Sequence, residues 1–192
     1  MAPVSPDTQD PRHPLVDALR RLIKEAGDDP DRTDLLETPG RWMRAMTEFL
    51  GGYAENPAAL LKTFDSPVDQ VVIVREVPFV SVCEHHMLPF RGRAGVAYLP
   101  AGRIVGLSKI PRVIHALARR LQVQERLTDE VARTIEQALR PHGVLVVVDA
   151  GHTCCELRGA RAVGTMMTTS CALGVFRSDP AARAEALTLL RR

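Results

Sequence analysis

The sequence is poor in aromatic residues, in net charge and in long apolar runs. Aromatic side chains make up 4% of the 192 residues, and neither a paired Cys-x-x-Cys motif nor a basic stretch interleaved with aromatics occurs, which disfavours a nucleic-acid module. The formal net charge of +2 is too small to indicate a nucleic-acid or membrane partner. No apolar run approaches the roughly 20 residues of a membrane helix, and residues 1–10 lack the charged-then-apolar order of a signal peptide. We therefore expect a cytoplasmic protein with neither kind of partner.

Lysine and cysteine are also scarce. The 25 basic residues include only three lysines, at positions 24, 62 and 109, so a lysine inside a motif is informative. In a reducing compartment, cysteines are more often free thiols, metal ligands or buried packing groups than structural disulfides. The four cysteines are Cys83, Cys154, Cys155 and Cys171.

Hydrophobic residues form 45% and charged residues 25% of the chain, the balance of a globular protein with a buried core. Apolar spacing and end signals predict a first helix that begins near residue 15 and stops at Gly27. Four further helices are predicted at 38–50, 108–120, 128–140 and 180–192. Strands are predicted at 71–74, 77–82, 95–99, 104–107, 144–148 and 162–175. Because the links between strands have hairpin length, the order of elements predicts an α+β fold with an antiparallel sheet.

Composition divides the chain into three regions. Residues 1–12 are rich in Pro, Asp and Ser without a periodic pattern, which predicts a flexible N-terminus. Residues 13–66 form an N-terminal helical segment, and residues 67–192 form the strand-rich domain that carries the motifs below.

The most distinctive local feature is Cys83-Glu84-His85-His86, at the end of an apolar strand. A Cys-x-x-His pair places a thiolate and an imidazole at a spacing that a tight turn can bring onto one ion, and both groups suit zinc. For the pair alone, a buried thiol beside surface histidines is the favoured interpretation.

A second cluster, residues 149–155, follows the next apolar strand and contains His152, Cys154 and Cys155. Side chains alternate between the two faces along a strand, so His152 and Cys154 share a face and Cys155 points away. We therefore predict Cys154 as the third ligand.

Cys83, His86 and Cys154 then form a set of three protein ligands. Three ligands plus an open position are typical of catalytic rather than structural zinc, which lowers the pKa of a bound water to about 7. His85 and His152 stay unligated beside this position, where an imidazole can exchange a proton near neutral pH.

The stretch 106–112 turns a strand into a helix and contains Ser108, Lys109 and Arg112. Ser108 is a favourable N-cap, and the free N–H groups of a first helical turn attract anions. Two cations at this end oppose the helix dipole and call for a compensating anion such as phosphate. The alternative is two solvated basic residues beside an ordinary cap.

Two weaker features are Gln124-Glu125, in a predicted loop before Thr128, and Arg158, in a turn after the cysteines. A carboxylate can accept the ring and amino N–H groups of guanine, and an arginine can bind phosphate oxygens in a bidentate manner. For each feature alone, ordinary surface charge is the favoured interpretation.

Together these segments closely resemble the GTP cyclohydrolase I family, in order and over the chain from about residue 15 to the C-terminus. The matching stretches are residues 35–41, 83–86, 106–112, 122–128, 152–154, 158–159 and 168–170. The resemblance implies a tunnelling fold, an antiparallel four-stranded sheet with helices on one side, which closes with other subunits into an oligomeric barrel. It also implies a homodecamer of two stacked pentamers with active sites between subunits.

The resemblance further implies a role for each matching residue. The zinc ligands are Cys83, His86 and Cys154, and the acid–base residues are His85 and His152. The guanine-binding residues are Gln124 and Glu125. Arg41, Ser108, Lys109, Arg112 and Arg158 lie around the ribose and triphosphate, and Ser108 is also a catalytic candidate.

The implied reaction is the zinc-dependent hydrolytic opening of the imidazole ring of GTP. Formate leaves, and the product rearranges to 7,8-dihydroneopterin triphosphate, the first step of pterin and folate biosynthesis. Two alternatives stay open: a tunnelling-fold reductase that uses a cysteine nucleophile without zinc, and a non-catalytic paralogue that binds zinc and nucleotide. Retention of all three ligands argues against the first, and the two histidines argue against the second.

Overall fold

The computed structural model describes residues 13–191, and the flexible N-terminus predicted for residues 1–12 lies outside them. The α-helices are α1 (Pro14–Glu25), α2 (Thr38–Phe49), α3 (Lys109–Ala118), α4 (Gln124–Leu139), α5 (Thr153–Glu156), α6 (Val175–Ser178) and α7 (Pro180–Leu190). The strands are β1 (Thr63–Asp65), β2 (Val72–Cys83), β3 (Pro89–Leu99), β4 (Arg103–Val105), β5 (Leu121–Gln122), β6 (Gly143–His152) and β7 (Met166–Gly174).

The main sheet has the strand order β5-β2-β3-β6-β7. The four long strands β2, β3, β6 and β7 pair antiparallel, so the predicted α+β fold with an antiparallel sheet is confirmed. The predicted count of four strands is too low within residues 13–191, because β5 adds a short parallel strand beside the end of β2. This fifth strand has two residues, too few for a periodic sequence signal.

The two strands predicted at 71–74 and 77–82 form one strand, β2. Its register with β3 shifts between Val74 and Val77, and Glu76 has a φ of +59°. A bulge of this kind inserts residues without ending the strand, which is why the alternation of apolar residues breaks here.

One face of the sheet is covered by α3 and α4. Its core includes Val96, Tyr98 and Val146 from the strands, Ile110 from α3 and Ile135 from α4. Fully burying an aliphatic or aromatic side chain contributes about 1.5–3 kcal/mol, so this layer dominates the stability of the domain.

Part of the opposite face is covered as well. α6 and α7 pack there in a second cluster with Ala97, Leu145, Phe176 and Leu190. The prediction of helices on one side only is therefore wrong, because apolar residues on both faces of this end of the sheet need cover. The other end of the same face carries charged residues such as Arg91 and stays open.

The N-terminal segment is fastened to the strand-rich domain. β1 pairs with β4, and the Arg120 Nε donates to the carbonyl of Gly52 at 3.1 Å. A Cβ at Gly52 would lie 2.1 Å from the carbonyl oxygen of Ala116, so only glycine permits this close approach. Within residues 13–191, the helices are all too short or too polar to cross a membrane.

Candidate active site

The three predicted metal ligands lie together at one end of the sheet. The Sγ atoms of Cys83 and Cys154 are 3.9 Å apart, and the ligand atoms of Cys83, His86 and Cys154 all lie within 4.8 Å of one another. Tetrahedral zinc with Zn–S bonds of about 2.3 Å holds two sulfurs about 3.8 Å apart. The donor set and its spacing therefore fit zinc.

A tight turn between β2 and β3 brings His86 back towards Cys83. The Cys83 N–H donates to the carbonyl of Leu88, and the Met87 N–H donates to the carbonyl of Cys83, both at 2.8 Å. Met87 has a φ of +52°, a left-handed conformation that these hydrogen bonds stabilise. His85 is exposed on the same turn, with its ring centroid 6.3 Å from that of His86.

Cys154 reaches the cluster by a route that the sequence analysis did not predict. β6 ends at His152 and residues 153–156 form the helical turn α5, so the strand alternation expected through Cys154 and Cys155 is wrong. A helix rotates successive residues by about 100°, and this turn directs Cys154 to the other two ligands. The choice of Cys154 over Cys155 agrees with the structure, although the reasoning behind it does not.

Without a cation, the thiol of Cys154 is a poor acid. Burial, followed by contact with the Cys83 thiol, raises the pKa of Cys154. A thiolate on one sulfur disfavours a second negative charge nearby. A divalent cation reverses this preference because it stabilises thiolates directly. The geometry thus suits a cation that draws both sulfurs into their ligand form.

His152 lies two residues before Cys154, at the end of β6. Its ring stacks on the ring of Phe90, with centroids 4.5 Å apart and planes 7° apart. Burial lowers the pKa of His152, against smaller opposing effects from Glu125 and Glu156. The imidazole is therefore neutral at neutral pH and is able to exchange a proton.

Gln124 and Glu125 lie in the first turn of α4, not in a loop before Thr128 as predicted. The helix therefore begins four residues early, and within it the Thr128 hydroxyl donates to the Gln124 carbonyl at 2.7 Å, inside the core. Gln124 is 1% exposed, whereas Glu125 is exposed. Guanine binding by these two residues stays a prediction.

The residues expected around the ribose and triphosphate are more scattered. Lys109 and Arg112 lie in the first turn of α3, as predicted. Ser108 occupies the N-cap position of α3, as predicted, but its side chain makes no capping hydrogen bond. Its φ and ψ of −67° and −11° are helical, and a capping side chain needs extended backbone at that position.

Arg41 lies on α2 and forms an ion pair with Glu37 at 2.7 Å, while Arg158 is exposed after α5. Across residues 13–191, no hydrogen bond or ion pair links the metal cluster to any of the ribose and triphosphate candidates, Arg41, Ser108, Lys109, Arg112 and Arg158. The single chain therefore brings together the predicted metal and proton-transfer groups but not the predicted phosphate groups.

Comparison of the sequence with known proteins identifies the family of the chain. The family model described as GTP cyclohydrolase I matches residues 15–191. The chain belongs to the GTP cyclohydrolase I family. Among its relatives, GTP cyclohydrolase 1 of Rhodopirellula baltica is 48% identical over 176 residues, covering 91% of this chain and 77% of that protein. GTP cyclohydrolase 1 of Mycobacterium ulcerans is 47% identical over 178 residues, covering 91% and 88%.

Among solved structures, the apo form of the archaeosine synthase QueF-Like superposes with a TM-score of 0.47 at 18% identity, covering 57% of this chain and 96% of that chain. This likeness is too weak to define the fold, which rests on the strand register of the chain itself.

Arg126 is a residue of this GTP cyclohydrolase I family member that the sequence analysis missed. Its guanidinium donates to the Oε1 of Gln122 and to the carbonyl of Leu121, both at 2.9 Å, and also contacts the carboxylate of Glu84. The Glu84 N–H donates to the Gln122 carbonyl at 3.0 Å, and the hydrogen bond from Arg126 lowers the pKa of Glu84. The metal-binding turn is thus tied to α4. The only sequence signal was the place of Arg126 within a matching stretch.

Phe90 was missed for a different reason. The strand was predicted to begin at residue 95, but β3 begins at Pro89. Residues 91 and 93 are exposed arginines on the open face, and they interrupt the apolar pattern from which strands are predicted. The register of β3 with β6 places Phe90 opposite His152.

Proposed function

We propose that this chain opens the guanine imidazole ring of GTP by hydrolysis and releases formate. The product then rearranges to 7,8-dihydroneopterin triphosphate for pterin and folate biosynthesis. The observation that carries the proposal is the cluster of Cys83, His86 and Cys154. Beside it, two residues before Cys154, lies His152, whose pKa is lowered by burial and whose ring is hydrogen-bonded to Gln124. Membership of the GTP cyclohydrolase I family supports the same substrate and reaction.

Cys83, His86 and Cys154 would hold zinc. When bound, zinc supplies Lewis acidity that activates water for hydrolysis near neutral pH. The turn of β2 into β3 and the turn of α5 position these ligands, and the contacts of Arg126 keep the first turn in place.

His152 would exchange the proton that the reacting purine nitrogen needs. Stacking on Phe90 fixes the plane of the imidazole, and burial lowers its pKa, so that the ring is available to take up a proton. His85, exposed on the metal-binding turn, would act as the second acid–base group, and Ser108 would assist at the ribose. General acid–base groups of this kind typically contribute about 10²–10⁴-fold to the rate.

Substrate binding would divide between two ends of the nucleotide. The carboxylate of Glu125 would accept the N–H groups of guanine, next to the buried Gln124 in the first turn of α4. Lys109 and Arg112 would bind phosphates at the first turn of α3, where the helix N–H groups also attract anions. Arg41, Ser108 and Arg158 would complete the contacts to ribose and triphosphate.

The same family membership favours assembly into a tunnelling-fold barrel, a homodecamer of two pentamers. Within residues 13–191, the outer edge of β2 is paired only beside β5, and the outer edge of β7 has no partner strand. Open edges of this kind pair readily with other chains. Helix α1 has no buried residue, and Leu22 on it is 61% exposed. Neighbouring subunits would cover these surfaces and bring the scattered phosphate residues to the metal cluster.

Two measurements test this proposal. Purified protein incubated with GTP should release formate and develop pterin fluorescence, and removal of zinc by a chelator should stop both. Tight GTP binding without formate release would support the non-catalytic alternative instead. Light scattering should report about ten times the 21.1 kDa mass of the chain, and an active monomer would contradict shared sites.

A further inference from the structure

Both the nitrogen and the oxygen of the Gln124 side-chain amide form hydrogen bonds within the chain. Its Nε2 donates to the carbonyls of Val148 and Met167 at 2.9 and 2.8 Å, with the Thr169 hydroxyl at 3.2 Å. Its Oε1 lies 2.9 Å from the Nε2 of His152. The side chain therefore links the first turn of α4 to β6, β7 and the histidine.

These contacts determine the orientation of the Gln124 amide and the position of the proton on His152. Backbone carbonyl oxygens only accept hydrogen bonds, so the amide nitrogen of Gln124 must face Val148 and Met167. The reversed amide would place an oxygen within 3 Å of two other oxygens. Because Oε1 therefore faces His152 and can only accept, the proton of this hydrogen bond belongs to Nε2 of the histidine.

We propose that Gln124 is a positioning residue that holds His152 with its proton on Nε2, leaving Nδ1 as the ring nitrogen that exchanges a proton with the substrate. The proposal rests on the proposed function, since it names the reacting atom of the same histidine. The Phe90 ring fixes the plane of the imidazole, and Gln124 fixes its rotation within that plane. Within residues 13–191, Nδ1 of His152 has no hydrogen-bond partner.

This role differs from direct binding of guanine by the same side chain. The two N–H groups of the amide are occupied, and Gln124 is 1% exposed. A positioning residue acts on the transition state through His152, so its loss lowers kcat more than it raises KM. Partners that orient a functional histidine typically contribute about 10–100-fold.

The first test compares Gln124→Met with the control Thr169→Val. Methionine keeps the volume of Gln124 but removes the acceptor for His152, whereas Thr169→Val removes a neighbouring contact and keeps that acceptor. We expect Gln124→Met to lower kcat about 10–100-fold, with KM for GTP within about threefold and zinc content unchanged. Thr169→Val should keep kcat within about threefold of wild type. A rise in KM as large as the fall in kcat, or an unchanged kcat, would overturn the proposal.

The second test observes His152 in the wild-type protein directly and does not depend on turnover. Solid-state ¹⁵N NMR of histidine-labelled wild-type protein, at a pH about two units above the ordinary histidine pKa, should show a protonated Nε2 and a bare Nδ1 for His152. Subtraction of the His152→Ala spectrum assigns the signal. A protonated Nδ1 would overturn the proposal. Gln124→Met should show a mixture of both neutral forms, and an unaltered spectrum would also count against the role of Gln124.

The two proposals fail in distinguishable ways. Wild-type protein that releases no formate from GTP contradicts the proposed function, while the NMR result still decides the hydrogen bond between Gln124 and His152. Normal formate release with the wrong ring nitrogen protonated contradicts the role of Gln124 alone.

Discussion

The two halves of the candidate site are built in different ways. The metal and proton-transfer half is assembled within one chain, from the ends of β2 and β6, the turn after β2, and α5. The phosphate half consists of exposed or half-buried basic residues on α2, α3 and the segment after α5, which no hydrogen bond or ion pair of the described chain joins to the cluster.

The difference follows from the range of the forces involved. Metal coordination tolerates errors of only about 0.2 Å, so its ligands sit at the ends of rigid strands with hydrogen-bonded turns. Attraction between a polyphosphate and long basic side chains acts over several ångströms, and these side chains can close on the ligand after it arrives. The predictions below test whether the two halves are separable in this way.

The largest effect should come from Cys154→Ala, with Cys155→Ala as the matched control. Loss of one of three ligands should remove most of the zinc, measured by elemental analysis of purified protein, and with it the formate release. Cys155→Ala should keep about one zinc per chain, because Cys155 lies outside the cluster. Equal retention in both variants would refute the ligand assignment, and loss in Cys155→Ala alone would show that the wrong cysteine was chosen.

A large effect, confined to turnover, should come from His152→Ala. The variant should keep zinc and GTP affinity while formate release falls by about 10²–10⁴-fold, because the lost interaction operates in the transition state. Zinc content, GTP affinity and formate release should be measured on one preparation. Loss of zinc or of folding together with activity would mean that His152 only packs. Turnover within a few-fold of wild type would leave His85 as the acid–base residue.

A smaller effect, on the metal alone, should come from Arg126→Ala. Without the contacts to Glu84 and Gln122, the metal-binding turn loses its link to α4, and zinc affinity should fall about tenfold or more in a chelator competition. Arg133→Ala is the control on the same helix, since exposed Arg133 forms its ion pair with Asp129, away from the metal-binding turn. Equal zinc affinity in the two variants would show that the turn holds its shape unaided.

The smallest effect should come from Lys109→Ala, with Lys24→Ala as the control. Loss of one charge-assisted hydrogen bond to phosphate should raise KM for GTP about tenfold, with zinc content unchanged. Lys24 lies exposed on α1, and its loss should leave KM unaltered. A loss of zinc in Lys109→Ala would break the separation between the two halves, and an unchanged KM would remove Lys109 from the phosphate site.

Local pattern predicted much of the fold. The Asp179-Pro180 signal marks the start of α7, where the Asp179 carboxylate accepts from the Ala181 and Ala182 N–H groups. The antiparallel arrangement also follows from short links between strands. The errors occur where a neighbour overrides the local pattern: the bulge at Glu76 merges two predicted strands, and burial of Gln124 starts α4 four residues early.

By itself, the sequence determined the chemistry of the site. Spacing within the Cys-x-x-His turn, which the chain itself closes, was sufficient to predict Cys83 and His86 as neighbours. The tertiary structure alone decided that α5 turns Cys154 inward, that Phe90 stacks on His152, and that Gln124 holds the same ring. These contacts join residues far apart in the chain. They depend on the register of β3 with β6 and on the docking of α4, which no local periodicity encodes.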